Sequence, residues 1–562
     1  SEKVLPDEDT VENIVKNISA IVSTYMMKLY ITGFSEGLAN LLKIDSLFVE
    51  RAFFQVIETD ILTSFLEPIG ANFQNNFGFK PLDVIKFKNG LMKFIVGNLN
   101  SIKSYDDLYT CLDIDCAMIS KEADLSISEI ESIVTFFSIS TSDNTECLPR
   151  RKNPVVNKPI LNFNNTYLCV NPLNLIKKLR INIEEKIREE QHEWGNYCSR
   201  RAQILENETL KTLQNVFSLA NFHRNVKYRF QKNQAIFEAD IIIDVDKYLI
   251  LVECKSANLS EPAKFGYQKR LDKDISEIVH EAHAQCKRAF DYISSDESVQ
   301  FEENREYFSI KKDKYQKIYL ISVTLDNLEL ITANIHNILT LPEEAIVVTL
   351  SLYDLKVISE MIRNSTEFLL YLDRRERSIS EGKIHAHDEL DIFTTFLNTG
   401  LIFKDESSFD FIEITNFSDE IDQYYIKNRK TLKPQLKVFY KTIQKLKEIE
   451  LMGLDGWLAL SKELISYSGV AQQNIWKNVS KILKKSKKKG RSDFSICEKE
   501  GKTGITFYAE NSENENAVNK LESYVNRKFV ETGMKYWFVV IFYSNVSHRI
   551  QNYCMFENKD FF

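Results

Sequence analysis

Three residues near the middle of the chain combine the charges that hydrolysis of a phosphodiester requires. Asp240 stands in FEADIII, and Glu253 and Lys255 stand two apart in LVECK. Carboxylate oxygens bind hard cations such as Mg²⁺ or Mn²⁺, and an ammonium group beside them can orient or help deprotonate an attacking water. The set matters only if the chain folds so that the three groups converge.

The stretch FEADIIIDVDKYLILVECKS is rich in Ile, Val, Leu and Tyr and carries a polar DVDK at its centre. That pattern predicts two strands joined by a turn. Successive strand side chains point to opposite faces, so Glu253 and Lys255 share a face, with Val252 and Cys254 on the other. The same parity groups Glu238, Asp240 and Ile242. A Glu-x-Lys pair closing a run as apolar as YLILV has two readings. One is an edge strand emerging into solvent; the other is a buried charged pair, which is costly unless a partner or metal compensates.

Helices on either side of the hairpin supply further candidates. In ILENETLKTLQNVF, Glu206 falls on the face of Leu210, Leu213 and Phe217, whereas Glu208 joins Thr212 and Asn215 on the polar side. Glu206 is thus a candidate further metal ligand, against the reading of a carboxylate favoured near a helix start. Downstream, Gln285 shares a face with Ile278, Ala282, Ala289 and Tyr292. Its amide suits contact with the lysine, the water or a phosphate, and equally an interface glutamine satisfied by backbone.

Basic residues that could hold a nucleic-acid backbone occur in two places. Lys264, Lys269, Arg270 and Lys273 follow the hairpin in a polar stretch read as a loop, where solvation is the competing account. The run KNVSKILKKSKKKGR holds Lys477, Lys481, Lys484, Lys485, Lys487, Lys488, Lys489 and Arg491 without an acidic residue, beside an apolar stripe of Ile475, Val479 and Ile482. His280 and His283 lie one turn apart without a recognisable third ligand, and HEAH is not HExxH, so packing or surface roles are expected for them. The same holds for His385 and His387 beside Asp388.

Composition narrows the class. A net charge of −8 excludes a globally basic coat protein, and 44% hydrophobic with 27% charged residues is the balance of a globular protein. The apolar runs YLILV and YWFVVIF are too short to cross a bilayer, and SEKVLPDEDTVEN does not read as a secretory signal; no membrane partner is expected. Nine cysteines, odd in number and without a CxxC, argue against a disulfide framework and a structural zinc, and favour a reducing cytoplasm.

At 562 residues the chain exceeds what one core organises. Four regions are expected: a mainly helical 1–158; an α/β 159–345 containing the hairpin and a long leading helix; a mostly helical connecting 346–445; and an α+β 446–562 with the basic run. VENIVKNISAIVSTYMMKLY, LDVIKFKNGLMKFIVGNL and SISEIESIVTFF read as helices of the first, and the polar STSDNTECLPRRKNPVVNK as its boundary.

On LE at Leu205–Glu206, EAD at Glu238–Asp240, VECK at Val252–Lys255 and AHAQCKRAFDYI from Ala282, the stretch from about 195 to 325 resembles the PD-(D/E)XK nuclease superfamily, in the branch that includes NERD-type domains. Ala239 stands where the family's proline often precedes the aspartate, and over half the chain lies outside the likeness. The resemblance implies a restriction-endonuclease-like mixed sheet flanked by helices. It implies Asp240 and Glu253 as Mg²⁺ ligands (Mn²⁺ as substitute), Lys255 as the water-activating or charge-stabilising group, and Glu206 and Gln285 in support. It further implies a nuclease acting on DNA, RNA being open, in a layout that suits prokaryotic restriction or anti-phage defence, with pairing of two copies and a regulatory protein partner. The alternative is a catalytically silent nuclease-fold module for nucleic-acid binding or assembly. Retention of all three of Asp240, Glu253 and Lys255 speaks against it.

Overall fold

The computed structural model describes residues 54–98, 112–140, 154–163, 166–169, 171–231, 235–264, 267–337, 345–403, 410–414, 419–497, 502–512, 517–546 and 548–559. The helix expected over 11–30 and most of the polar boundary stretch, 141–153, lie outside these residues.

Helices Gln55–Leu66, Gly70–Phe77, Asp83–Asn98, Cys116–Ala123 and Ile127–Phe136 build the N-terminal unit. The last opens with a capping box, in which Ser126 and Glu129 satisfy each other's backbone N–H groups. A small sheet of β1 (Ser138–Ser140), β2 (Ile160–Phe163) and β3 (Thr166–Cys169) completes it. Ile160, Cys169, Leu179 and Ile183 pack in the same core as these helices, so the unit runs past the boundary expected at 158.

The central sheet has seven strands: β4 (Asn221–Tyr228), β5 (Phe237–Val245), β6 (Tyr248–Lys255), β7 (Ser298–Glu303), β8 (Glu306–Lys311), β9 (Lys317–Thr324) and β10 (Val347–Ser351). Their spatial order is β10-β9-β6-β5-β4-β7-β8, with β10, β9 and β6 parallel and the remaining neighbours antiparallel. Helices cover both faces, giving the expected α/β class. Ile241, Ile243, Ile250, Val252 and Ile321 share a core with Leu205, Leu213 and Val216 of the Gln191–Val216 helix. Ile242, Leu249, Leu251 and Leu320 pack instead with Cys286, Ala289 and Ile293 of the Glu281–Ser294 helix. Burial on both faces is why YLILV is apolar without alternation. The boundary expected at 345 falls just before β10, which belongs to this sheet.

The chain then forms helices Leu352–Met361, Ser365–Glu381 and Glu389–Thr399 around a short pair of strands, β11 (Ile384–Ala386) and β12 (Ile412–Ile414). The C-terminal unit packs helices Tyr440–Met452, Trp457–Ser466 and Gly469–Lys489 on a four-stranded sheet of β13 (Arg491–Cys497), β14 (Thr503–Glu510), β15 (Tyr536–Tyr543) and β16 (Asn552–Glu557). It is fastened to the turn of the β5–β6 hairpin. Asp246 accepts hydrogen bonds from the N–H groups of Gly456, Leu458 and Ala459, thereby capping the Trp457–Ser466 helix. Among the described residues no helix is long and apolar enough to cross a membrane.

Candidate active site

The acidic residues gather at the open end of the β5–β6 hairpin, away from the capped turn. Antiparallel pairing runs from Val245–Tyr248 to Ile241–Val252 and stops there. On the outer side, β4 pairs with β5 at Arg224–Ile241 and Val226–Ala239 but skips the step between them, where Asn225 adopts a left-handed backbone with φ 49°. Ala239 and Ile242, three residues apart, both pack in the core beneath the Glu281–Ser294 helix. Strict alternation is therefore broken at Asp240–Ile241. Glu238 is exposed, so the shared face expected for Glu238, Asp240 and Ile242 does not persist through the kink.

Freed from regular pairing, Asp240 turns its carboxylate across the hairpin. Its Oδ2 accepts a 2.7 Å hydrogen bond from the backbone N–H of Cys254, and its carboxyl is hydrogen-bonded to that of Glu253. Glu253 is only 2% exposed. Burial, then the adjacent Asp240, hold its proton affinity well above the ordinary carboxylate range, only partly offset by Lys255. Burial also raises Asp240, opposed by the Cys254 N–H and the Lys255 charge. Burial of Glu253 and the like charge of Asp240 beside it both disfavour ionisation of Glu253. Lys255 is half-buried, and its charge bears on both acids.

Glu206 approaches from the Gln191–Val216 helix. Its carboxyl is raised to about 7, first by burial and then by Asp240, with Arg224 opposing. It senses Asp240 and, more weakly, Glu238, and among the described residues no group of three or more His, Cys, Asp or Glu side chains is placed to hold a metal ion together. Glu206 therefore stands close enough to feel the Asp240 charge. Glu208, expected on a polar face, is buried and ion-paired with Lys356 at 2.8 Å and Lys211 at 2.9 Å, because the Leu352–Met361 helix covers that side.

Gln285 lies on the Glu281–Ser294 helix with Ala282, Ala289 and Tyr292, whereas Ile278, expected on the same face, sits in a preceding π turn and packs in another core; the buried Oε1 of Gln285 has no hydrogen-bond partner. The next residue, Cys286, donates to the carbonyl of Ile321 across 3.5 Å, and its thiol is pushed up by burial and then by Glu253 and Asp240. This helix therefore borders the acidic pair. His283, one turn before Cys286, also faces the sheet: its Nε2 is 2.8 Å from Thr349 Oγ1, and burial lowers its ring to about 3, a neutral packing histidine.

The stretch expected as a loop after Lys255 instead carries helices Glu261–Lys264 and Gln268–Ile275. Two of its basic residues are engaged by buried acids: Lys264 pairs with Asp326 at 3.3 Å, and Arg270 with Asp274 at 3.1 Å as well as Ser260 Oγ at 2.9 Å. Lys273 pairs with Glu277 at 3.6 Å, and Lys269 is exposed. Lys484, Lys485 and Lys488 lie on the Gly469–Lys489 helix of the C-terminal unit and take no part in this site.

Sequence reasoning missed a brace beneath the site. Arg180 pairs with Asp326 at 2.7 Å and Glu184 at 3.0 Å and donates to Asn258 Oδ1 at 3.1 Å. Asn258 in turn donates to Glu184, and the N–H of Leu259 donates to Asp326. The segment directly after Lys255 is thus clamped to the N-terminal unit. A buried arginine 75 residues upstream of Lys255 leaves no local pattern to find.

No family model matches the chain, and no curated protein matches it. A solved structure, protein VC1899 from Vibrio cholerae, is similar at 13% identity over 55% of this chain and 57% of that one, with a TM-score of 0.18. This chain thus spans less than two thirds of that protein, and so small an overlap carries no argument about function.

Proposed function

We propose that the chain is a divalent-metal-dependent nuclease of the PD-(D/E)XK kind, with DNA as the substrate. The observation that supports this reading most is the contact between the Asp240 and Glu253 carboxyls beside Lys255, at the open end of a hairpin buried on both faces. A buried carboxyl whose ionisation is disfavoured by a neighbouring acid takes up a cation more readily as pH rises. The donor set suits a hard ion, since the oxygens of Asp240, Glu253 and Gln285 are carboxylate or amide. Asp240 and Glu253 would hold it, with Gln285 Oε1 as a neutral oxygen lacking any other partner; Glu206 would act through the outer surroundings. When bound, Mg²⁺ or Mn²⁺ supplies Lewis-acid stabilisation of phosphoryl charge and lowers the pKa of water. Lys255 then orients the water and balances charge on the phosphate. The mixed sheet, with the hairpin followed by a glutamine-bearing helix and a parallel strand, agrees with the restriction-endonuclease-like arrangement included in this proposal.

The test is incubation of supercoiled plasmid with wild type and Lys255→Ala in Mg²⁺, Mn²⁺ or EDTA. Nicking by wild type that requires metal and falls at least a hundredfold in the variant is expected. Equal nicking by both proteins, or none in any metal, would overturn the reading.

A further inference from the structure

We propose that the exposed face of the Gly469–Lys489 helix is a docking surface for a nucleic-acid phosphate backbone, separate from the Asp240–Glu253 site. In a chain with more acidic than basic residues, positions 477–491 hold seven lysines and Arg491 and no acid. All eight are exposed. Among the described residues none of the seven lysines forms an ion pair, and Lys481 reaches only the Asn478 amide at 3.2 Å.

Helix chemistry accounts for only part of this. Lys487, Lys488 and Lys489 occupy the last turn, where cations complement the partial negative charge of the free carbonyls. Lys477, Lys481, Lys484 and Lys485 lie further in and repel one another at three- and four-residue steps, which weakens the helix. A partner of opposite charge relieves that repulsion. Lys477, Lys481, Lys484 and Lys488 form one stripe about 16 Å long. Over that length duplex DNA presents roughly nine phosphate charges.

The opposite face identifies the partner further. Ile475, Trp476, Val479, Ile482 and Leu483 are buried against the C-terminal unit, with Trp476 Nε1 donating to Thr442 Oγ1 at 2.8 Å. A helix that seats in a bilayer surface needs its apolar face free, and this one is already used. What remains is a rigid row of ammonium groups facing solvent, which matches a backbone polyanion. The surface lies in the unit docked on the hairpin turn, at the other end of β6 from Glu253. It therefore holds nucleic acid independently of any cleavage.

Fluorescence anisotropy in EDTA tests this with the full chain, using a labelled random-sequence DNA duplex, a labelled single-stranded RNA, and phosphatidylserine vesicles as separate probes. Replacement of Lys477, Lys481, Lys484 and Lys488 by Gln is expected to weaken nucleic-acid binding at least tenfold. The slope of log K against log salt should fall by about 0.9 for each duplex phosphate that is no longer neutralised. Arginine at the same four positions retains binding, which separates an effect of charge from an effect on folding. The two nucleic-acid arms decide which strand form is held. Unchanged affinity and slope in the glutamine variant, or binding to vesicles but to neither nucleic acid, overturns the proposal. The anisotropy assay reads binding in EDTA and the plasmid assay reads metal-dependent nicking, so the two readings fail separately.

Discussion

Asp240 and the backbone of Cys254 are joined by a 2.7 Å hydrogen bond that stands where the β5–β6 ladder has just ended. The side chain takes over the N–H that regular pairing would otherwise satisfy, and its carboxyl is hydrogen-bonded to that of Glu253 as well. One residue thus both closes the hairpin and sets the acidic pair.

That double role separates two substitutions. Asp240→Ala leaves the Cys254 N–H without its acceptor and should cost about 1–3 kcal/mol in urea unfolding. Asp240→Asn retains an acceptor oxygen and should cost less than half as much. Both should abolish metal-dependent nicking, so a variant with near-native stability and no activity isolates the chemical role.

Metal binding has a stability signature of its own. At a Mg²⁺ concentration 100 times its Kd, wild type should gain about 2.7 kcal/mol over its state in EDTA. Glu253→Gln should gain little, because one of the two anionic ligands is gone. Thermal melts with and without Mg²⁺ provide the comparison; equal shifts for both proteins would remove Glu253 from the ligand set.

The capping of the Trp457–Ser466 helix by Asp246 makes the hairpin turn a joint between units. Asp246→Ala removes three accepted hydrogen bonds and places alanine at φ 51°, a backbone region it disfavours. A loss of about 2 kcal/mol is expected, with faster proteolysis around 453–457. Asp246→Asn tolerates the same backbone and keeps an acceptor, and should lie close to wild type.

The brace on Arg180 offers a test of how the N-terminal unit supports the site. Asp326 is held at about 2, the two cations Lys264 and Arg180 outweighing the burial that would raise it. Arg180→Met leaves the buried Glu184 and Asp326 short of a partner, at a cost of about 3–5 kcal/mol. Amide exchange at Asn258, Leu259 and Ser260 should accelerate more than exchange in the core of β6.

Glu376 is raised to about 7 by burial, against the pull of Lys317, while Asp373 draws on Lys317 and Lys462 together. A carboxyl raised on folding binds its proton more tightly in the folded state. Its contribution is therefore full below about 4.5 and lost as pH rises through about 7. Glu58 and Glu206 are raised to about 7 as well and act in the same sense. Glu376→Gln should flatten the decline in stability between pH 4.5 and 7 without removing it, and should leave the variant more stable than wild type at pH 8. Denaturant unfolding across that range measures the slope.

Much of the candidate site is legible locally. Periodicity and apolar content place the hairpin, the side shared by Glu253 and Lys255, and most of the face of Gln285, because these depend on bonds within one element. The Lys477–Arg491 run and its apolar stripe are equally plain. Other elements escape such a reading: β4, whose NFHRNVKY mixes charge with few branched residues, and the β7–β8 hairpin, whose turn at Asn304 and Arg305 uses two left-handed residues and no glycine. β13 and β16 carry too many polar residues to stand out.

By itself, then, the amino-acid order determined which short segments pair or coil, and which charged groups must share a side, since backbone geometry repeats every two or 3.6 residues. Tertiary structure alone decided the kink at Asp240, the burial of Glu208 under the Leu352–Met361 helix, and the occupation of Lys264 and Arg270 by acids. It alone decided the Arg180 brace. Each of these depends on which surfaces meet after distant parts of the chain collapse, and desolvation, not spacing, sets the outcome.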